Sequence, residues 1–252
     1  MALGGSRLPN LERHAGWLVP LGFLLGIIAV AVDGHFLYRE IVTANNISIW
    51  NTVSLIGLQL GLIGLAGAIN PRLRGLSGSL LILAGLMSLA PGLDDASAAA
   101  STLSWQMRTH VLTSLFAYAL LTAGVIVALF ALVQERRLRT ATLSPTSQLF
   151  APLETTENLL AVVTLAGFTV LALSVISGFT FVEDLFAQHL VHKTALSLLA
   201  LLVFGVLIFG RHVAGWRGRR AVYLYLAGFA ILCMAYFGSR IVLEVMLDRS
   251  WS

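Results

Sequence analysis

Val111 to Val133 reads VLTSLFAYALLTAGVIVALFALV, an apolar run without one charged side chain. About 20 such residues in a helix cross the hydrocarbon core of a bilayer. Backbone N–H and C=O groups find no water at that depth, so the segment must satisfy them internally, as a helix does. Charge bounds the run on both sides, with Arg108 just before it and Gln134-Glu135-Arg136-Arg137 just after. The stretch therefore predicts a transmembrane helix.

The pattern recurs on both sides of this run. Seven apolar stretches are present, at Trp17–Tyr38, Ile47–Ile69, Leu76–Leu93, Val111–Val133, Leu159–Val182, Leu190–Gly210 and Ala221–Val245. Whole-chain composition agrees: 58% of the 252 residues are hydrophobic and 11% are charged. A soluble domain carries about 25% charged residues to coat its surface. A soluble enzyme, a disordered chain and a disulfide scaffold are thereby excluded, and the single cysteine, Cys233, cannot form an internal bridge. The ten-residue alternation of a membrane barrel is absent. The expected fold is all-α: a polytopic transmembrane bundle of about seven helices. It is expected as a cytoplasmic segment 1–16, one transmembrane domain 17–246 and a periplasmic tail 247–252.

Positive charge predicts the orientation. Arg7, Arg13, Arg72, Arg74, Arg136, Arg137, Arg139, Arg211, Arg217, Arg219 and Arg220 fall on one side of a seven-helix path. Arg39, Arg108, Lys193, Arg240 and Arg249 fall on the other. The richer side is expected to be cytoplasmic, which places the N-terminus inside and the C-terminus outside. The first span also resembles a signal peptide, with Arg7 and Arg13 before an apolar run ending in Ala29-Val30-Ala31. Cleavage there would leave six helices without inverting them. The net charge of +4 includes no basic block long enough to suggest a nucleic-acid partner. The lipid bilayer is the partner that composition implies.

Ionisable side chains in a membrane are costly and point to function. Of six histidines, His14 and His212 read as solvated loop residues. His35, His110, His189 and His192 gather on the expected outer side. His35 and His110 lie at similar depth on the first and fourth spans. Neutral imidazole ligates iron, zinc or copper, and two imidazoles from facing helices could hold a haem iron between them. Trp105 could pack on the macrocycle, while Arg108, Lys193 and Arg240 could pair with its propionates. The alternative is that each is an interfacial histidine bonded to water or to a carbonyl. His189 and His192, at i and i+3, are too few to close a zinc site. Asp33, close to His35, could hydrogen-bond a ligand histidine; Glu40, Asp94, Asp95 and Asp248 read as helix-end acids that meet water. In helix two, Gly57–Gly61 is a small-xxx-small pair that marks close helix packing.

The stretch from Arg108 to Arg139, with Thr109-His110-Val111, Phe116-Ala117-Tyr118 and Gln134-Glu135-Arg136-Arg137, resembles the cytochrome c assembly protein family. So do Ser177-Gly178-Phe179 through His192-Lys193-Thr194, Gly215-Trp216-Arg217-Gly218-Arg219-Arg220 and Ala235-Tyr236-Phe237-Gly238-Ser239-Arg240. The similarity is clearest over 105–244 and closest to the HemX-like and YpjD-type inner membrane branch. It implies a multi-pass protein of the bacterial inner membrane that handles haem at the outer face for cytochrome c biogenesis. Partners would be other maturation components or haem-synthesis machinery.

By position, the resemblance makes His110 and His35 haem-ligand histidines, and sets Lys193, with His192 beside it, in the haem-presenting loop region. The stretch Glu183–His192 lacks the tryptophans of the assembly proteins proper. That departure favours haem binding or regulation over attachment of haem to an apocytochrome, and a bond-making enzyme is not expected. The competing readings are an accessory or regulatory membrane subunit without haem, and a small-molecule or ion transporter.

Overall fold

The computed structural model describes residues 9–43, 48–93, 104–139, 153–181 and 191–238, with side chains from Pro20 onward except those of Arg139 and Phe237. The expectations for His189, Glu183, Asp184, Asp94, Asp95, Arg240 and Asp248 lie outside the described residues. Seven helices run in order: α1 (Pro9–Leu37), α2 (Ile49–Ala68), α3 (Arg74–Met87), α4 (Trp105–Arg139), α5 (Leu153–Phe181), α6 (Val191–Val213) and α7 (Arg219–Cys233). Wider π turns extend α1 through Tyr38–Thr43 and α7 through Met234–Gly238. Tight 3₁₀ turns flank α3 at Pro71–Leu73 and Ala90–Leu93. Among the described residues, six helical segments are long and apolar enough to cross a membrane: Pro20–Thr43, Ile49–Ala68, Pro71–Leu93, Trp105–Leu138, Leu153–Phe181 and Val191–Val213. The seventh apolar helix, α7 with its π turn, runs to the edge of the described residues.

The limits differ from the hydropathy reading for local reasons. α3 stops at Met87, short of the expected Leu93, because Pro91 supplies no N–H and crowds the preceding turn. α4 outruns its apolar stretch at both ends, because Gln106, Arg108, Gln134 and Arg136 are as compatible with a helix as leucine is. α1 is already helical at Pro9, the first described residue, well before the expected Trp17. His14 accordingly lies within a helix rather than in a loop. His212 is likewise in the last turn of α6 rather than beyond it.

The core centres on α4. Its longest seam is with α5, and it also packs on α2 and α7. Leu115, Ala117, Leu121, Val127 and Ala128 are buried along it. Two tyrosines clasp α4 to α7 reciprocally. Tyr118 Oη donates to the Leu232 carbonyl at 2.7 Å, and Tyr225 Oη donates to the Leu121 carbonyl at 2.7 Å. Each hydroxyl thus finds a partner at a depth where an unpaired one would be costly. Tyr225 also meets Phe204 of α6 edge-on, with ring centroids 5.3 Å apart, a favoured aromatic geometry.

α2 packs between α1, α3 and α4. A Cβ on Gly57 would stand 2.8 Å from Met87 Cβ, and one on Gly61 would stand 2.9 Å from Val30. The small-residue pair thus lets α3 and α1 approach α2 closely. α1 packs mainly on α2 and leaves Leu24, Leu25, Ile28 and Val32 exposed, the surface a lipid-facing helix presents.

α4 and α5, α5 and α6, and α6 and α7 pack antiparallel, which gives this part of the bundle two chemically distinct ends. At one, Glu135 near the end of α4 pairs with Arg219 at the start of α7 (3.1 Å), and Arg211 of α6 reaches Asn158 of α5 (3.4 Å). At the other, the start of α4 meets the end of α5 at His110 and Ser177.

A candidate haem-ligand site on helices four and five

His110 stands on the second turn of α4 and is half-buried against α5. Its Nδ1 lies 2.9 Å from Ser177 Oγ. Ser177 Oγ in turn donates to the Ser174 carbonyl at 2.8 Å. A serine hydroxyl has one proton. With that proton on the Ser174 carbonyl, Ser177 Oγ accepts from His110 Nδ1–H; with it turned to the ring, Nδ1 accepts instead.

The circuit closes through a second pair of serines. Ser114 Oγ donates to the His110 carbonyl at 2.7 Å, and Ser174 and Ser114 hydroxyls lie 2.7 Å apart. Either hydroxyl can donate in that last bond. Two hydrogen bonds, His110–Ser177 and Ser114–Ser174, thus cross from α4 to α5, while the other two tie Ser114 and Ser177 to their own helix backbones. Polar pairs of this kind hold membrane helices in register. Gly178 lets the imidazole lie close to α5, since a Cβ there would stand 3.1 Å from Cε1.

In the neutral ring, a hydrogen on Nδ1 leaves the lone pair on Nε2. This is how ligand histidines are prepared: the nitrogen away from the metal donates, which sets the tautomer and the ring plane. Near the same helix ends, Trp105 and Phe181 pack at 6.4 Å between centroids with planes tilted by 54°. Trp105 is 70% exposed. A neutral imidazole with one free ring nitrogen is donor chemistry that a haem iron takes.

The other expected site residues are placed as follows. His35 lies in the last turn of α1 and is exposed. Among the described contacts none joins it to His110. Asp33 accepts a hydrogen bond from Ser54 of α2 at 2.9 Å, so its described partner is the neighbouring helix rather than a histidine. Arg108 is half-exposed on the first turn of α4. His192, exposed, and Lys193, half-exposed, begin α6. Ser114, Ser174 and Ser177 were not expected as site residues. Their signal is spacing: His110 and Ser114 are four apart, Ser174 and Ser177 three apart, so each pair shares one helix face.

These features define a class: a polytopic helical membrane protein with a hydrogen-bonded, half-buried histidine at one end and arginine concentrated at the other. The family model described as "Cytochrome C assembly protein" matches residues 17–247, and the chain belongs to that family. It is 36% identical over 140 residues to "Inner membrane protein YpjD" of Escherichia coli (strain K12), covering 56% of this chain and 53% of that protein. It is 31% identical over 140 residues to "Uncharacterized 28.8 kDa protein in nifR3-like 5'region" of Azospirillum brasilense, covering 55% and 52%. The chain thus matches about half the length of these curated relatives. No solved structure matches. The relatives' name and the apolar helices agree on a multi-pass protein of the bacterial inner membrane.

Proposed function

We propose that this protein binds haem through His110 Nε2 at the end of the bundle away from the arginine cluster, in the service of cytochrome c assembly. The observation that carries the reading is the His110–Ser177–Ser174–Ser114 circuit, in which a hydrogen on Nδ1 bonded to Ser177 would leave Nε2 as the free lone pair. Membership of the cytochrome c assembly family supports it. Haem, when bound, would supply an iron that takes imidazole nitrogen as a ligand. The chain's own residues do the rest. Ser177 holds the imidazole plane and its tautomer. Trp105 offers an apolar face to the macrocycle, and Arg108, His192, Lys193 and Arg240 are the proposed contacts for its propionates. His35, exposed on α1, is the proposed second ligand. On the charge reading, both histidines lie toward the periplasmic face.

The test is the haem content of protein purified from haem-supplied cells, measured by extraction, for the natural chain and for His110→Ala. The reading expects haem retained by the first and lost from the second. A well-folded natural chain without haem would leave the alternative, an accessory or regulatory subunit that binds none.

A further inference from the structure

The turn from α6 to α7 is built with more care than a connection needs. The Ala214 and Trp216 N–H groups both donate to the Gly210 carbonyl, at 3.0 and 3.1 Å. Gly215 and Gly218 take positive φ angles of 64° and 60°, a region that favours glycine. The indole of Trp216 lies over the bare Cα of Gly210, where any Cβ would collide with the ring. This fold-back makes Trp216 the end wall of an open apolar groove of about 670 Å³ along α6, floored by Phe168, Leu202, Gly205 and Phe209.

The turn beyond Trp216, the groove's end wall, carries Arg217, Arg219 and Arg220, while Arg211 and His212 line a separate groove against α5. Glu157 of α5 lies beside Gly218 of that turn. Arg219 is taken up by Glu135, and Arg211 reaches Asn158. Arg217 and Arg220 are exposed, and no ion pair is described for either among the described residues. An apolar trough in a membrane-facing surface, closed by an interfacial tryptophan and capped by arginines, matches an amphiphile with an anionic head.

We propose that this groove binds an anionic phospholipid. One acyl chain lies along α6 between Phe168 and Trp216, and the phosphate sits at the Arg217–Arg220 turn. The site lies at the opposite end of the bundle from His110 and does not depend on haem.

Trp216 reports on its own neighbour. In the full chain with Trp17, Trp50, Trp105 and Trp251 replaced by Phe, its fluorescence is measured in phosphatidylcholine vesicles. These contain rising fractions of brominated phosphatidylglycerol or, separately, brominated phosphatidylcholine. One arginine near an anionic head shifts lipid partition by about fivefold. The brominated anionic lipid is therefore expected to quench at about fivefold or more lower mole fraction. Arg217→Gln/Arg220→Gln should remove that preference. Equal quenching by the two lipids, or a preference that survives in the arginine variant, overturns the proposal. Native mass spectrometry of the unsubstituted chain with equimolar phosphatidylglycerol and phosphatidylcholine tests the same point without altering any tryptophan. Selective retention of phosphatidylglycerol supports the site, and indiscriminate retention refutes it.

Discussion

Ser177→Ala separates the role of His110 as a ligand from its role as a packed side chain. The substitution deletes the oxygen that lies 2.9 Å from Nδ1 and 2.8 Å from the Ser174 carbonyl oxygen. The Ser174–Ser114 bond and the Ser114 bond to the His110 carbonyl remain, so the helices keep their register. Loss of one net hydrogen bond costs about 1 kcal/mol of stability. For a chain of this size that is a fall in melting temperature of about 2–4 °C.

The effect on ligation should be larger than the effect on folding. Without that oxygen the ring can rotate and exchange tautomers, and loss of such a supporting partner weakens metal binding by about 10–100-fold. The lower end, about tenfold, is expected because the backbone of α4 is still pinned. The assay is a haem titration of purified protein in detergent, followed by the Soret absorbance. It is paired with nitrogen NMR of labelled histidine in haem-free protein to read which ring nitrogen holds the hydrogen. Ser177→Thr, which keeps the hydroxyl, should restore most of the affinity. Unchanged haem affinity in Ser177→Ala, beside a clear loss in His110→Ala, would refute the tautomer argument while leaving the ligand assignment intact.

Three further outcomes follow from the packing. Gly124→Ala drives a methyl group into the buried Tyr225 hydroxyl and should destabilise by about 2–4 kcal/mol from overpacking and a strained hydrogen bond. Tyr225→Phe added to it should recover about 1 kcal/mol or more relative to additivity in a thermal-melt double-mutant cycle, and strict additivity would contradict the contact. Ser54→Ala strips the buried donor from Asp33 and should lower stability by about 1–3 kcal/mol, with Asp33→Asn in the same background recovering part of it. Arg219→Gln removes the 3.1 Å contact to Glu135, but Arg219 is 42% exposed, so the same melts should change by no more than about 1 kcal/mol.

The spans were legible because the bilayer imposes a length and a composition, and runs such as Val111–Val133 meet both. Their ends were less so. Hydropathy counts apolar residues, whereas Gln134 to Arg137 carry the helix onward by propensity and Pro91 stops α3 inside an apolar stretch. His110 stood out because imidazole is rare and costly in a membrane. Ser114, Ser174 and Ser177 did not, since serine in an apolar helix serves equally as a small packing residue, a bond to its own helix backbone, or a partner across helices. Only the facing of α4 on α5 selects the last. Asp33 was legible as a costly group, but its partner on α2 depended on which face of α1 is buried, and an almost wholly apolar helix gives no periodicity to read.

The account stands most directly on the visible absorption spectrum of the full chain after haem is added in detergent, compared with His110→Ala and His35→Ala. It predicts a defined Soret band in the natural chain that His110→Ala displaces and weakens, with His35→Ala altering the ligation spectrum. Three indistinguishable spectra, or a natural chain that leaves haem free in the micelle, would contradict it.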